Sequence, residues 1–421
     1  LKSSSARLPS DNLFPTRNSI SHHPEPKMKS SRRLLLPLTA LIALLCSHSL
    51  AADKKPLKVF ILAGQSNMQG HANVRTMDYI GKDPKTAPML KEMLGPDGKA
   101  KVCDRVWISY LSAERSGPSE KEGKLTTGFG ANEECIGPEF TFGIYIEKLL
   151  DEPVLLIKTA WGGKSIHTDF RSPGAGPYEF NETQLENFKK QGKDLAAEKA
   201  KKAEATGHYY REMMAHVKKV LADPKKFCPA YDASSGIELA GFVWLQGWND
   251  MVDGGTYPQR DKAGGYDAYS KVLAQFIRDV RSDLKAPKLP FVIGVMGVGG
   301  PTALYGPDEQ RYKATHQNFR DAMAAPAKMP EFKGSVVNVL TENCWDRLQT
   351  TAVRKRSEVN AQISKLKKDG RKFAKGEEQE LTDKLMSEAC TPAELDALKG
   401  ISNQAFHYLG SAKIQIGRAH V

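Results

Sequence analysis

Five stretches of the chain are apolar at nearly every position rather than at alternate ones: residues 57–62, 154–159, 239–245, 291–296 and 336–340. A strand that is apolar on both faces is buried on both faces. The intervals between them carry the 3.6-residue spacing of helices. Residues 140–150 read as one helix. Within a charged region at 180–223, Met213, Val217 and Val220 form an apolar stripe that Asp223-Pro224 stops. Residues 266–284 set Tyr269, Leu273, Phe276, Ile277 and Val280 on one side. Strands alternating with helices predict an α/β domain in which a parallel sheet is covered on both faces.

Five such strands match a flavodoxin-like doubly wound sheet, whose binding crevice lies at the carboxyl ends of the strands. Two segments fall outside the alternation. Residues 72–137 form a long Gly- and Lys-rich connection carrying Trp107 and Tyr110, and a loop of this length is functional or has structure of its own. Residues 346–400 mix Lys/Arg with Glu/Asp around Val359, Ile363, Leu366, Leu381 and Leu385. They predict an inserted, solvated helical hairpin with a turn near Lys368-Asp369-Gly370, a capping box at Thr391-Pro392-Ala393-Glu394 and a stop at Gly400.

The first 52 residues have a different character. Residues 1–27 are rich in Ser, Pro and His without periodicity and read as a non-native upstream extension, with Met28 as the start. A basic stretch (Met28 to Arg33), an apolar run over 34–46 and the small residues Ser49-Leu50-Ala51-Ala52 then form a signal peptide at 28–52, which leaves 53–421 as the working domain. The apolar run is short for a membrane span, so a periplasmic or secreted protein with no stable span in its mature form is expected. Of the formal charge of +12, residues 1–52 supply +5, from seven Lys/Arg and two Asp/Glu. The remainder is spread over Lys-rich helices without interleaved aromatics, which argues against a nucleic-acid partner. Five cysteines follow residue 52, with no Cys-x-x-Cys. Export suggests one or two disulfides, Cys103 with Cys135 first. The oligomeric state is open.

Candidate chemistry starts where the first strand runs into Gly64-Gln65-Ser66-Asn67-Met68. A serine on a tight turn at a strand end is placed as an exposed nucleophile, and a hydroxyl needs a nearby base at neutral pH. His407 follows the last strand and the inserted arm, where a doubly wound hydrolase places its histidine. Of its rivals, His71 lies too near Ser66 in sequence to approach from the usual side, and His167 is better placed to touch substrate.

Five blocks occur in order: Gly-Gln-Ser-Asn-Met, Gly137-Pro138-Glu139, Ala160-Trp161-Gly162-Gly163, Gln246-Gly247-Trp248-Asn249-Asp250 and Phe406-His407-Tyr408-Leu409-Gly410. In this the chain resembles the SGNH-hydrolase superfamily, in its sialate O-acetylesterase-like and acetylxylan esterase-like branch. The resemblance implies a serine esterase that removes O-acetyl groups from sialic acid or an acetylated polysaccharide through an acetyl-enzyme, with no metal or other cofactor. It implies Ser66 as nucleophile and His407 as base. The oxyanion donors would be the backbone N–H groups of Ser66 and Gly137 and the amide of Gln246. Gln65, Asn67, Trp161, His167 and Trp248 would meet the substrate. Two positions depart from the pattern. Trp248 stands where the branch has Glu, and Gln404 stands where an Asp precedes the histidine. Asp250 is then the nearest acid to orient His407. A Ser–His dyad held by the Gln404 amide or a backbone carbonyl is an alternative, and a catalytically decayed carbohydrate-binding protein on the same scaffold is another.

Overall fold

The computed structural model describes residues 55–399 apart from 83, 85, 115 and 116. The expected signal peptide, Gly400, Gln404 and His407 lie outside the described residues. Seven strands form one sheet: β1 (Leu57–Gly64), β2 (Val106–Glu114), β3 (Gly117–Lys124), β4 (Val154–Ala160), β5 (Ile237–Leu245), β6 (Phe291–Val295) and β7 (Val336–Leu340). Their spatial order is β3-β2-β4-β1-β5-β6-β7. All neighbours are parallel except β3, which runs antiparallel to β2. The five strands read from the sequence are β4-β1-β5-β6-β7, the doubly wound order. The long connection contributes the other two, together with two short helices (Thr76–Lys82 and Ala87–Met93), so it has structure of its own.

Alternation along each buried strand feeds two cores. Leu57, Val59, Ile61 and Ala63 of β1 join one cluster with Leu155 and Ile157 of β4. Phe60 and Leu62 join the other with Leu156 and Ala160. The helix α2 (Pro138–Leu149; α1 is introduced below) packs Phe140, Phe142 and Ile144 into the second cluster. The opposite face is covered by α3 (His208–Ala222), through Met213, Val217 and Val220, and by α5 (Asp267–Asp283), through Tyr269, Leu273 and Phe276. Helices on both faces exclude water from the centre of the sheet, which is why β1 and β4 are apolar and buried along almost their whole length.

Register sets the site. Gly64, the last residue of β1, pairs with Ala160 at the end of β4 and with Leu245 at the end of β5. Three strands therefore finish level, and β1 lies between the two halves of the winding, where such sheets bind ligands. Gly64 is required there: a Cβ would stand 2.1 Å from the Leu245 carbonyl oxygen.

The inserted arm contains three helices rather than two: α7 (Arg347–Lys368), α8 (Glu377–Ala389) and α9 (Pro392–Lys399). They share a small core of Val359, Met386 and Cys390. The capping box is formed, with Thr391 N donating to Glu394 Oε2 at 2.7 Å and Glu394 N to Thr391 Oγ1 at 3.3 Å. The suggested Cys103–Cys135 disulfide is absent, both residues being separate buried thiols. Burial holds the Cys103 thiol up at about 12, with the Glu147 carboxylate adding to the effect. No described helix is long and apolar enough to cross a membrane.

Candidate active site

Ser66 opens the one-turn helix α1 (Ser66–Gln69) directly after β1. The turn is pinned by Gln65 N donating to Leu245 O at 3.0 Å and by Trp161 N donating to Gly64 O at 3.2 Å. First-turn N–H groups have no acceptor within their own helix, so the Ser66 N–H is available to an incoming oxygen. Ser66 faces a cleft of about 470 Å³, whose walls come from four strand ends. The turn after β4 gives Gly162 and Gly163, the turn after β5 gives Trp248 and Asn249, and the turn after β6 gives Met296, Gly297 and Val298. Trp345, just past β7, closes the far side.

Gln65 fastens the first turn to the third. Its Oε1 accepts from Gly247 N at 2.9 Å and from Gln246 Nε2 at 3.2 Å, and its Nε2 donates to Asn249 Oδ1 at 2.9 Å. That last bond fixes the orientation of Asn249. With Oδ1 engaged, its NH₂ group is the end left to face the cleft that Asn249 lines. Sequence reading passed over Asn249. The signal available was an amide in the first turn of α4 (Trp248–Val252), as the helix's second residue at a strand end.

Gln246 is placed differently from the expectation. It is 3% exposed and is not among the cleft residues. Its Nε2 is spent on Asp250 Oδ2 at 2.6 Å and Lys164 O at 3.0 Å as well as on Gln65. Gly137 is likewise occupied. Its N–H donates to Glu139 Oε1 at 2.8 Å, in the buried approach to α2.

Asp250 was expected to orient the histidine. It is 1% exposed and accepts four hydrogen bonds, two on each oxygen. Oδ1 receives His167 N at 3.1 Å and Tyr257 OH at 3.0 Å, while Oδ2 receives Ile166 N at 2.8 Å and Gln246 Nε2. A carboxylate offers about four acceptor positions, so none remains for an imidazole N–H. Burial raises the Asp250 carboxyl to about 6 despite these donors. Its geometry makes it the anchor of the loop after β4.

The remaining expected contacts divide. Asn67 and the 38%-exposed Trp248 line the cleft. Trp161 does not form a wall. It is buried between Phe170 and Tyr209, with ring centroids 5.9 and 5.0 Å away. His167 is not among the residues lining the cleft, and its Nδ1 is 3.2 Å from Tyr257 OH. His71 does line the cleft, with Nε2 3.1 Å from Gln69 Oε1. Burial, helped by the Lys158 ammonium, lowers His71 to about 4 and keeps it neutral. Among the described residues no group of three or more His, Cys, Asp and Glu side chains could hold a metal ion.

Residues 56–334 match the family model for carbohydrate esterases described as sialic acid-specific acetylesterase, and the chain belongs to that family of carboxylic ester hydrolases. Comparison with curated proteins finds no match. Three solved structures are similar at low identity. A protein from Arabidopsis thaliana is 16% identical, over 81% of this chain and 98% of that one, with a TM-score of 0.35. A carbohydrate acetylesterase from Xanthomonas citri is 13% identical over 68% of this chain and 51% of its own, at 0.35. NanS is 13% identical over 68% and 79%, at 0.34.

Proposed function

We propose that this chain hydrolyses O-acetyl esters on carbohydrate through an acetyl-enzyme at Ser66. The observation that carries the reading is the Ser66 turn itself, a serine at the switch point of the sheet facing a cleft beside the Asn249 amide. Ser66 Oγ attacks the acetyl carbonyl while His407 takes its proton. The negative charge on the carbonyl oxygen is met by the Ser66 N–H and the Asn249 Nδ2. His407 then returns the proton to the departing sugar hydroxyl, and it activates the water that releases acetate.

Because Asp250 is saturated, we assign the orienting role to another group. The fold brings Asp346 to the same edge: it follows the cleft residue Trp345, is buried, and caps α7 through Gln349 N at 3.1 Å. The signal-peptide pattern of residues 28–52 supports action outside the cytoplasm. The test is release of p-nitrophenol from p-nitrophenyl acetate and of acetate from acetylated sugars. Wild type is expected to turn over and Ser66→Ala to be inert. A wild type that binds acetylated sugars without turnover supports the decayed-scaffold reading instead.

A further inference from the structure

The Ser66 cleft does not end at Trp345. Trp248, Val298 and Trp345 also line a second, larger depression of about 1100 Å³, so the two form one continuous surface. Single small-ligand sites run from roughly 300 to 1,000 Å³. The cleft at Ser66 fits one ring within that range; the extension alone exceeds it. Its far wall is α7, from Thr350 to Asn360, and it faces α6 (Gln310–Ala324). The family match stops at residue 334, so this wall is built by the part of the chain beyond it.

The lining has the chemistry of a charged sugar chain. Trp248 is a partly exposed flat surface, and Thr350, Ser357 and Asn360 add hydroxyl and amide groups. Four arginines line the depression against two acids, Asp308 and Glu309. Both acids are already paired: Asp308 with Arg354 at 2.5 Å and Glu309 with Arg347 at 2.9 Å. Arg260 is tied to Val252 O at 2.7 Å. Arg311, stacked 4.7 Å from the Tyr312 ring centroid, and Arg356 have no acidic partner among the described residues. His316 adds no charge. It packs on Tyr312 and Tyr305, and burial lowers it to about 4. The surplus is therefore cationic, and a guanidinium fork matches a carboxylate or sulfate ester.

We infer that the surface formed by α6 and the inserted helix α7 is a subsite for an anionic polysaccharide, which it holds while one of its acetylated units occupies the Ser66 cleft. This rests on the esterase reading for the cleft and adds the class of polymer. The Trp248 face stacks on a ring, and Arg311 and Arg356 pair with uronate or sulfate groups along the chain. Neutral acetylated polymers lack that second interaction.

The test uses the full chain and the double variant Arg311→Ala/Arg356→Ala. Hydrolysis is measured on acetylated polygalacturonate, acetylated sulfated galactan, acetylated xylan and p-nitrophenyl acetate. The double variant is expected to lose about tenfold or more in kcat/KM on an anionic polymer, the size of effect that charged hydrogen bonds carry. The loss should shrink with added salt, and p-nitrophenyl acetate should be hydrolysed as by wild type. Loss on the uronate polymer, the sulfated polymer or both identifies the anion. Calorimetric binding of unacetylated polygalacturonate and sulfated galactan gives the same comparison without turnover, so an inactive wild type removes the esterase reading and still tests the subsite. Equal behaviour of wild type and double variant on both anionic polymers, or xylan preferred by both, overturns the inference.

Discussion

Lys158 Nζ lies 2.6 Å from Glu139 Oε2, and neither side chain is exposed to solvent. Lys158 also donates to Gln69 O, the last residue of α1, at 3.0 Å and to Phe129 O at 2.6 Å, and its ammonium sits 4.3 Å from the Tyr110 ring centroid. The other Glu139 oxygen holds Gly137 N. The pair thus ties the helix bearing Ser66 to the start of α2 from beneath. Burial pushes Glu139 up and Lys158 down, and each partner opposes the shift of the other.

Removing one member leaves a buried charge without its partner, which costs about 3–5 kcal/mol. Glu139→Gln and Lys158→Met are each expected to lower the unfolding free energy read from urea denaturation by an amount of that order. The double variant should be less destabilised than the sum of the two. Additive losses in denaturation would show that the two do not act as a pair.

In the proposed mechanism the amide donor to the oxyanion is Asn249 rather than Gln246. Asn249→Ala should lower kcat about 10²–10³-fold, the usual effect of removing one oxyanion donor, with a destabilisation limited to the lost Gln65 bond. Gln246→Ala removes bonds to Asp250, Lys164 and Gln65, and should chiefly lower the melting temperature. Steady-state kinetics beside thermal melts of the two variants separates the roles; a larger kcat loss in a stably folded Gln246→Ala would reverse them.

The two carboxylates at this edge should respond differently as well. Asp346→Asn is expected to lower kcat by orders of magnitude, as loss of an orienting acid can cost about 10⁴ in rate. Asp250→Asn puts an NH₂ among donors and is expected to destabilise the fold. A kcat for Asp346→Asn within about threefold of wild type, against that precedent, removes Asp346 from the mechanism.

Acid should loosen the fold before it protonates most carboxylates. His71, His167, His216 and His316 all have values lowered from 6.5 to about 4, with burial as the first cause. Between these limits the unfolded chain binds more protons, so their contribution is complete above pH 6.5 and is lost as pH falls toward 4. Asp250, raised from 3.8 to about 6, works in the opposite sense over part of that window. Four histidines outweigh one aspartate, and urea midpoints should fall between pH 7 and 4.5. His216, which contacts Ser109 Oγ at 3.1 Å away from the cleft, gives the control. His216→Gln should flatten the slope; an unchanged slope would contradict the assignment.

The five parallel strands were legible as apolar runs, which burial on both faces explains for β1, β4 and β6; β7 kept its apolar run although Val337 and Leu340 are exposed. β2 and β3 were not legible. Val106–Glu114 interrupts its apolar positions with Ser109 and Ser112, which hydrogen-bond His216 and Ala160 inside the protein. Gly117–Lys124 (Gly-Pro-Ser-Glu-Lys-Glu-Gly-Lys) is a polar strand at the sheet's edge, where charge and Pro discourage pairing with other chains. At the site, the blocks at Gly64–Met68, Ala160–Gly163 and Gln246–Asp250 marked turns that meet, but not which way each side chain points. Gln246 and Asp250 turn inward while Trp248 and Asn249 turn outward within five consecutive residues. That direction is set by the backbone of a tight turn and by Gln65, 181 positions before Gln246.

The most direct measurement is the mass of the intact chain, with peptide mapping, after rapid quenching of its reaction with p-nitrophenyl acetate. A single acetyl group on the peptide containing Ser66, absent from Ser66→Ala, is the predicted result. Acetylation at another residue, or full turnover by Ser66→Ala, would contradict the mechanism.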